Sequence, residues 1–178
     1  MSRIRITGGE WRSRLIKVAD NVGGLRPTPD RVRITLFNWL GQDLTGLSCL
    51  DLFAGSGILG FEAASRGAER VTLVEQDQGA YAALRQNAQA LGGPKLELLR
   101  TDAVVFANST LQRYDLIFLD PPFRLGWIER IVPLLPRLAN PGARLYVEAE
   151  QAVEAAGAWR SVRQSRAGQV FYQLLEQE

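Results

Sequence analysis

The sequence predicts an α/β fold of Rossmann-like type: a mostly parallel seven-stranded sheet with helices on both faces, a C-terminal antiparallel hairpin and a small N-terminal β appendage. Three observations predict it. From residue 47 onward short apolar runs alternate with segments of helical periodicity, the pattern of repeated right-handed strand-helix-strand units. The stretch LDLFAGSGILG at 50–60 carries an apolar strand into a turn of small residues and then into an amphipathic segment. Four successive strand ends carry acids, one followed by two prolines, and strand ends are where a doubly wound sheet gathers its ligand.

The appendage comes first. Residues 3–6 alternate charged and apolar side chains, Gly8 and Gly9 interrupt, and 11–18 resume with Leu15, Ile16 and Val18, so a hairpin with a basic face is expected. The loop 21–29 is rich in Gly and Pro and carries Arg26, Pro27, Thr28 and Pro29. Asp30 is placed to cap a helix in which Val32, Leu36, Phe37 and Leu40 recur up to Gly41. Strand one is expected at 48–53 with its helix at 57–66, and strand two at 70–75 with its helix at 79–91, closed by Gly92, Gly93 and Pro94. Strand three, 96–100, leads to a short helix at 103–107, and strand four, 114–120, runs into Pro121 and Pro122 before a helix at 125–138. Strand five is 143–148. Residues 159–164 and 169–175 read as a closing hairpin around Ala167 and Gly168, an antiparallel edge on the sheet. One domain is expected over 1–178, with a basic hairpin and helix at 1–41 and the Rossmann-like core at 42–178.

Length and composition fit that plan. A chain of 178 residues suits one packed domain. No apolar run approaches the roughly 20 residues of a membrane helix, and charges and glycines stand where a signal peptide needs its apolar core, so a cytoplasmic protein without membrane contact is expected. The single Cys49 can build neither a disulfide framework nor a cysteine zinc site, and reads as a buried hydrophobe. The absence of histidine removes the usual general base, the usual zinc ligand and every Ser-His-Asp or Cys-His mechanism. A cofactor is expected to carry the chemistry, and no metal. Net charge is only +2, but 1–40 holds eight basic residues against three acids. Arg3, Arg5, Arg12, Arg14, Lys17, Arg26, Arg31 and Arg33 thus suggest a polyanionic partner met by the N-terminal segment, against the plainer reading of a solvated charged face.

The acids at the strand ends suggest what the crevice holds. Asp51 precedes Phe53 and the turn Ala54, Gly55, Ser56, Gly57, whose small residues let a ligand approach the backbone. Glu75 lies 18 residues beyond Gly57, about where a nucleotide-binding sheet places an acid on ribose hydroxyls. Asp102, followed by Ala103, is placed to receive the exocyclic amine of an adenine. Gly55, Gly57 and Gly60 also match the dinucleotide spacing, which alone leaves NAD open. Asp120-Pro121-Pro122-Phe123 has no natural role in hydride transfer. Each proline fixes its backbone angle and offers a carbonyl without an N–H, a stiff turn suited to gripping an amino group.

In this order, 50–60, Val74-Glu75, Asp102-Ala103 and Asp120-Pro121-Pro122-Phe123 resemble the class I methyltransferases that use S-adenosylmethionine. Ile6-Thr7-Gly8-Gly9, Arg26-Pro27-Thr28, Asp30-Arg31-Val32-Arg33 and Leu36-Phe37-Asn38 further resemble the RsmD family, bacterial guanine-N2 methyltransferases of 16S rRNA. The resemblance spans almost the whole chain and departs at Ile34, where the family pattern has an acid. It implies that Asp51, Gly55 and Gly57 hold the methionine part of S-adenosylmethionine, Glu75 the ribose, and Asp102 with Ala103 the adenine. Phe53, Ala54, Ser56 and Gln76 complete the cofactor-binding set, and Thr28 covers the pocket. It further implies that Asp120 and the Pro121 carbonyl accept the hydrogens of a guanine amine, that Pro122 completes the catalytic turn and that Phe123 stacks on the base. The implied partner is 16S rRNA in an assembling small ribosomal subunit, met by a monomer whose basic arm holds phosphates. An adenine-N6 or other amino methyltransferase, a non-catalytic RNA-binding factor that keeps the pocket, and an NAD oxidoreductase stand as alternatives.

Overall fold

The structure, a computed structural model, describes residues 2–20 and 27–178, so Arg26 and most of the expected 21–29 loop lie outside the described residues. β1 (Ser2–Arg5) and β2 (Leu15–Val18) pair antiparallel as a separate two-stranded sheet, with Ile4 opposite Ile16. α1 (Asp30–Leu40) leads to β3 (Ser48–Asp51), α2 (Ile58–Ser65), β4 (Arg70–Val74), α3 (Gln78–Leu91) and β5 (Leu96–Leu99). α4 (Ala103–Ser109), β6 (Tyr114–Leu119), α5 (Trp127–Ile131), a 3-10 turn (Val132–Leu134), α6 (Leu135–Leu138) and β7 (Ala139–Ala149) follow. β8 (Ala155–Ala156), β9 (Trp159–Ala167) and β10 (Val170–Gln177) close the chain.

The main sheet has the order β5-β4-β3-β6-β7-β10-β9-β8. β3 pairs in parallel with β4 on one side and β6 on the other, so the order reverses at its carboxyl end. That reversal opens a crevice between diverging connections. β10 runs antiparallel to both β7 and β9, as the closing hairpin predicts.

Along β3, β4 and β6 neighbouring side chains enter opposite layers, because successive side chains of a strand point to opposite faces. Cys49, Val71, Leu73, Leu116 and Phe118 join one buried cluster with Phe37 of α1, Phe61 of α2 and Leu84 of α3. Leu50, Val74, Ile117 and Leu119 join the other with Phe106, Trp127 and Leu135. Ile6, Trp11 and Ile16 of the hairpin belong to the first cluster, so the appendage shares the core of the sheet.

Four expectations are corrected. Among the described residues the sheet has eight strands rather than seven, because β8 adds a two-residue edge paired to β9; two residues carry no readable periodicity. The helix expected at 125–138 is broken into α5, the 3-10 turn and α6, where Pro133 and Pro136 supply no N–H to a continuous ladder. β7 starts at Ala139, not 143, and takes Pro141 and Gly142 into a bulge between the Tyr114–Ala139 and Leu116–Arg144 pairs. Asp30 does not cap α1: Pro29 holds that position, and Asp30 is the first helical residue, paired with Arg33.

Candidate active site

The carboxyl ends of β3, β4, β6 and β7 surround a cavity of about 460 Å³. Asp51 ends β3. Its Oδ2 accepts the Gly60 N–H at 3.1 Å, which ties the strand end to the first turn of α2. The turn between them closes with Gly57 N donating to the Ala54 carbonyl at 2.7 Å. Gly57 has φ +83°, and a Cβ there would lie 2.3 Å from the Leu84 side chain, so glycine is required both by conformation and by space. Gly57 therefore shapes the turn from behind and does not line the cavity, whereas Phe53, Ala54, Gly55 and Ser56 do.

Glu75, just past β4, is half-buried in the lining beside Gln76. Its Oε1 accepts Gly55 N–H at 3.0 Å and its Oε2 accepts Asp77 N–H at 2.8 Å. Each oxygen keeps a second lone pair for a ligand. Asp102 differs from its expected place. Its Oδ1 accepts the Val104 and Val105 N–H groups at 2.8 and 3.0 Å, capping α4, and Thr101 and Ala103 line the cavity in its stead. Among the described residues nothing donates to its Oδ2.

Asp120, Pro121, Pro122 and Phe123 lie together in the wall opposite Glu75's turn, joined by Thr28 and Pro29 from the segment before α1. Thr28 Oγ1 stands 3.3 Å from Asp120 Oδ2 and 3.2 Å from Glu148 Oε2. Burial, then the charge of Glu148 and that of Asp51, push the Asp120 carboxyl well above the usual carboxylate range. Asp51 is raised to about 7, chiefly by burial, against the lowering effect of the Gly60 bond. Two buried side-chain polar atoms have no hydrogen-bond partner among the described residues: Asp51 Oδ1 and Trp127 Nε1. Both residues line this cavity.

Among the lining residues that escaped the sequence reading, Glu148, Trp127 and Val170 stand out. Glu148 ends an apolar strand as Asp51 and Asp120 do, and the same strand-end rule would have found it. Trp127 stands edge-on to Phe53 at 5.3 Å, and Val170 comes from the β9–β10 hairpin. Neither carries a sequence signal of its own.

The basic set divides. Arg3, Arg5, Arg12, Arg14, Lys17 and Arg31 are exposed. Arg33 is fully buried and is corrected from a phosphate contact to a structural ion: it meets Glu62 Oε2 at 2.7 Å, the Thr28 carbonyl at 2.9 Å and the Arg5 carbonyl at 2.8 Å. Arg66 pairs with the other oxygen of Glu62 at 2.8 Å, and Thr7 donates to the same carboxylate through N–H and hydroxyl. The buried Glu62 thereby joins the hairpin, α1 and α2.

Solved structures that match this fold include proteins described as methyltransferases. The chain superposes on a putative methyltransferase from Escherichia coli with TM-score 0.89 at 40% identity, covering 99% of both chains. A putative methylase from Haemophilus influenzae gives 0.84 at 35%, again over 99% of both. A ribosomal protein L11 methylase from Lactobacillus delbrueckii shares the fold at 20% identity, with TM-score 0.70 over 88% of this chain and 83% of that one. The molecule has the class I methyltransferase fold.

Within that class the chain belongs to the RsmD family, whose profile, described as "Conserved hypothetical protein 95", matches residues 4–176. It is 42% identical to the ribosomal RNA small subunit methyltransferase D of Escherichia coli K12, over 99% of this chain and 91% of that protein. The protein of the same name from Haemophilus influenzae is 38% identical, over 97% and 93%.

Proposed function

We infer that this chain methylates the exocyclic N2 amine of a guanine in 16S rRNA, with S-adenosylmethionine as donor. The observation that carries the reading is the placement of Asp120-Pro121-Pro122-Phe123 in the same cavity as Asp51 and Glu75, in a chain akin to methyltransferases named for small-subunit rRNA.

The residues present suit the donor. Asp51 Oδ1, a buried acceptor without a partner, matches an amino-acid ammonium, and the free lone pairs of Glu75 match a ribose diol. Ala103 and Thr101 would border the adenine. Bound there, S-adenosylmethionine supplies a methyl group already activated by its sulfonium. A guanine amine is a poor nucleophile because its lone pair is delocalised into the ring. Asp120 Oδ atoms and the Pro121 carbonyl can accept both of its hydrogens, which favours a pyramidal nitrogen and stabilises positive charge as it develops. Pro121 and Pro122 keep that pair of acceptors from rearranging, and Phe123 offers a face for the base. A base reaching so recessed a site must be unpaired or flipped out. The exposed arginines of the hairpin would then bear on rRNA phosphates, in an assembling small subunit and with one copy of the chain.

Labelled donor and 16S rRNA, followed by nucleoside analysis, test the reading directly. N2-methylguanosine is the expected product, and N6-methyladenosine in its place would overturn the assignment of the base. Asp120→Ala should abolish transfer while calorimetry still detects S-adenosylmethionine binding; undiminished turnover would refute the role of Asp120.

A further inference from the structure

Glu148 occupies a position that stability alone does not favour. It is 6% exposed, pairs with no Lys or Arg among the described residues, and sits beside the acids Asp120 and Asp51. A buried carboxylate with no cation is costly, and an apolar residue of similar size would be the stabler choice. Yet the structure furnishes it with two donors. Tyr146, two residues earlier on β7, donates its hydroxyl to Glu148 Oε1 at 2.8 Å, and its ring stands edge-on to Phe118. On the other oxygen Thr28 Oγ1 lies at 3.2 Å, and the same hydroxyl is 3.3 Å from Asp120 Oδ2. β6 and β7 are parallel neighbours registered Leu119 to Val147, so the next residues, Asp120 and Glu148, emerge side by side. The Thr28 hydroxyl has one proton and two acids to serve.

We propose that Glu148 is the positioning residue of the transfer: held by Tyr146 and Thr28, it aligns the Asp120 carboxylate and strengthens it as the base that takes the proton released by the acceptor amine. This rests on the reading of Asp120 given above. On transfer the amine nitrogen bonds to the methyl carbon, the carbon–sulfur bond breaks with its electron pair left on sulfur, and one N–H proton passes to Asp120 and then to water. Asp120 must therefore be ionised beforehand.

The groups that face Asp120 set the direction of its titration. Glu148 and Tyr146 come from β7, with Tyr172 of β10 behind Tyr146; Asp51 comes from β3, with Glu75 behind it; Thr28 comes from the segment before α1. Burial, the charge of Glu148, a hydrogen bond between the two carboxyls and the charge of Asp51 raise Asp120, and the Thr28 hydroxyl lowers it. Transfer then declines as pH falls through this raised value. Glu148→Gln keeps the shape and removes a raising charge, so the decline moves to lower pH. Thr28→Val removes the lowering bond, so it moves to higher pH.

The test follows Asp120 by carboxyl carbon NMR in protein labelled at aspartate and free of cofactor, the signal being assigned by its loss in Asp120→Asn. The pH profile of single-turnover transfer is measured alongside. The expected result is a midpoint lowered by about one unit in Glu148→Gln, equivalent to an about tenfold higher ratio of ionised to protonated form one unit below the wild-type midpoint, and a midpoint raised in Thr28→Val. A purely structural role for Glu148 would lower the rate and leave both midpoints in place, and that result would overturn the proposal. Glu148→Leu, apolar and of similar size, should lower the same midpoint and decides the matter if Glu148→Gln does not fold. Should Asp120→Asn retain full transfer, the reading of Asp120 itself fails; an inactive Asp120→Asn with unmoved midpoints removes only the role of Glu148.

Discussion

Asp51 shows how one side chain sets function against stability. Its Oδ2 is bonded to Gly60 and its Oδ1 to nothing, and burial raises its pKa from 3.8 to about 7. Between those values the folded protein binds more protons than the unfolded chain, so stability falls as pH rises through roughly 4 to 7. Asp51→Asn removes that titration. It also places an amide nitrogen where the orphan oxygen was, at a cost of about 1–3 kcal/mol that does not depend on pH. Comparing urea melts of the two proteins at pH 5 and pH 8 cancels this cost. The variant should gain about 2–3 kcal/mol relative to wild type between the two pH values, from 1.36 kcal/mol per pKa unit. An equal difference at both would show that Asp51 is ionised throughout. Calorimetry should find S-adenosylmethionine binding weakened in the same variant, because the acceptor proposed for its ammonium is gone. The sequence marked Asp51 by its place at a strand end, but not its unmet oxygen, which depends on what α2 leaves around it.

The segment α2 shows what periodicity reveals and what it hides. Ile58–Ser65 is buried along its whole length, and Glu62 is carried into the core with it. A charge amid small and apolar residues announces a buried acid, but its cationic partners come from 29 residues upstream and one turn downstream. Nothing in the spacing tells Arg33, fully buried, from its exposed neighbour Arg31; that is decided when α1 docks on α2. Strands β3 to β6 were readable within a residue or two because alternation and turn residues are local. The eighth strand, the Pro141 bulge and the broken 125–138 helix were not, since each depends on a partner strand or on where a proline falls in a packed helix. Glu62→Gln keeps the shape of the side chain and removes the negative charge between two buried guanidinium groups. Breaking a buried pair in this way costs about 3–5 kcal/mol, whereas Arg31→Ala at the surface should stay within about 0.5 kcal/mol. Chemical denaturation of both variants checks the contrast, and a small loss in Glu62→Gln would mean that Asp30 alone suffices for Arg33.

Hairpin, cavity and charge distribution combine into one arrangement. The hairpin is fastened to the core by Trp11 N–H on Ser65 Oγ at 2.8 Å, by paired bonds between Lys17 and Asn87, and by Glu62. Its backbone is thus fixed while the side chains of Arg12, Arg14 and Lys17 remain exposed. Buried Arg33 then ties the Arg5 carbonyl of the hairpin to the Thr28 carbonyl at the cavity wall. A polyanion held on the hairpin is therefore registered against the site by rigid parts. If these side chains meet rRNA phosphates, replacing Arg12, Arg14 and Lys17 by Ala should weaken binding at every sequence. It should also flatten the dependence of log K on log salt by about 2–3, near one unit per lost phosphate contact. Cofactor affinity should be unchanged, because none of the three lines the cavity. Filter binding across a salt series distinguishes this from a solvated face, for which both affinity and slope would match wild type. Loss of affinity without a change of slope would place the contact elsewhere, since only displaced counterions give the salt term.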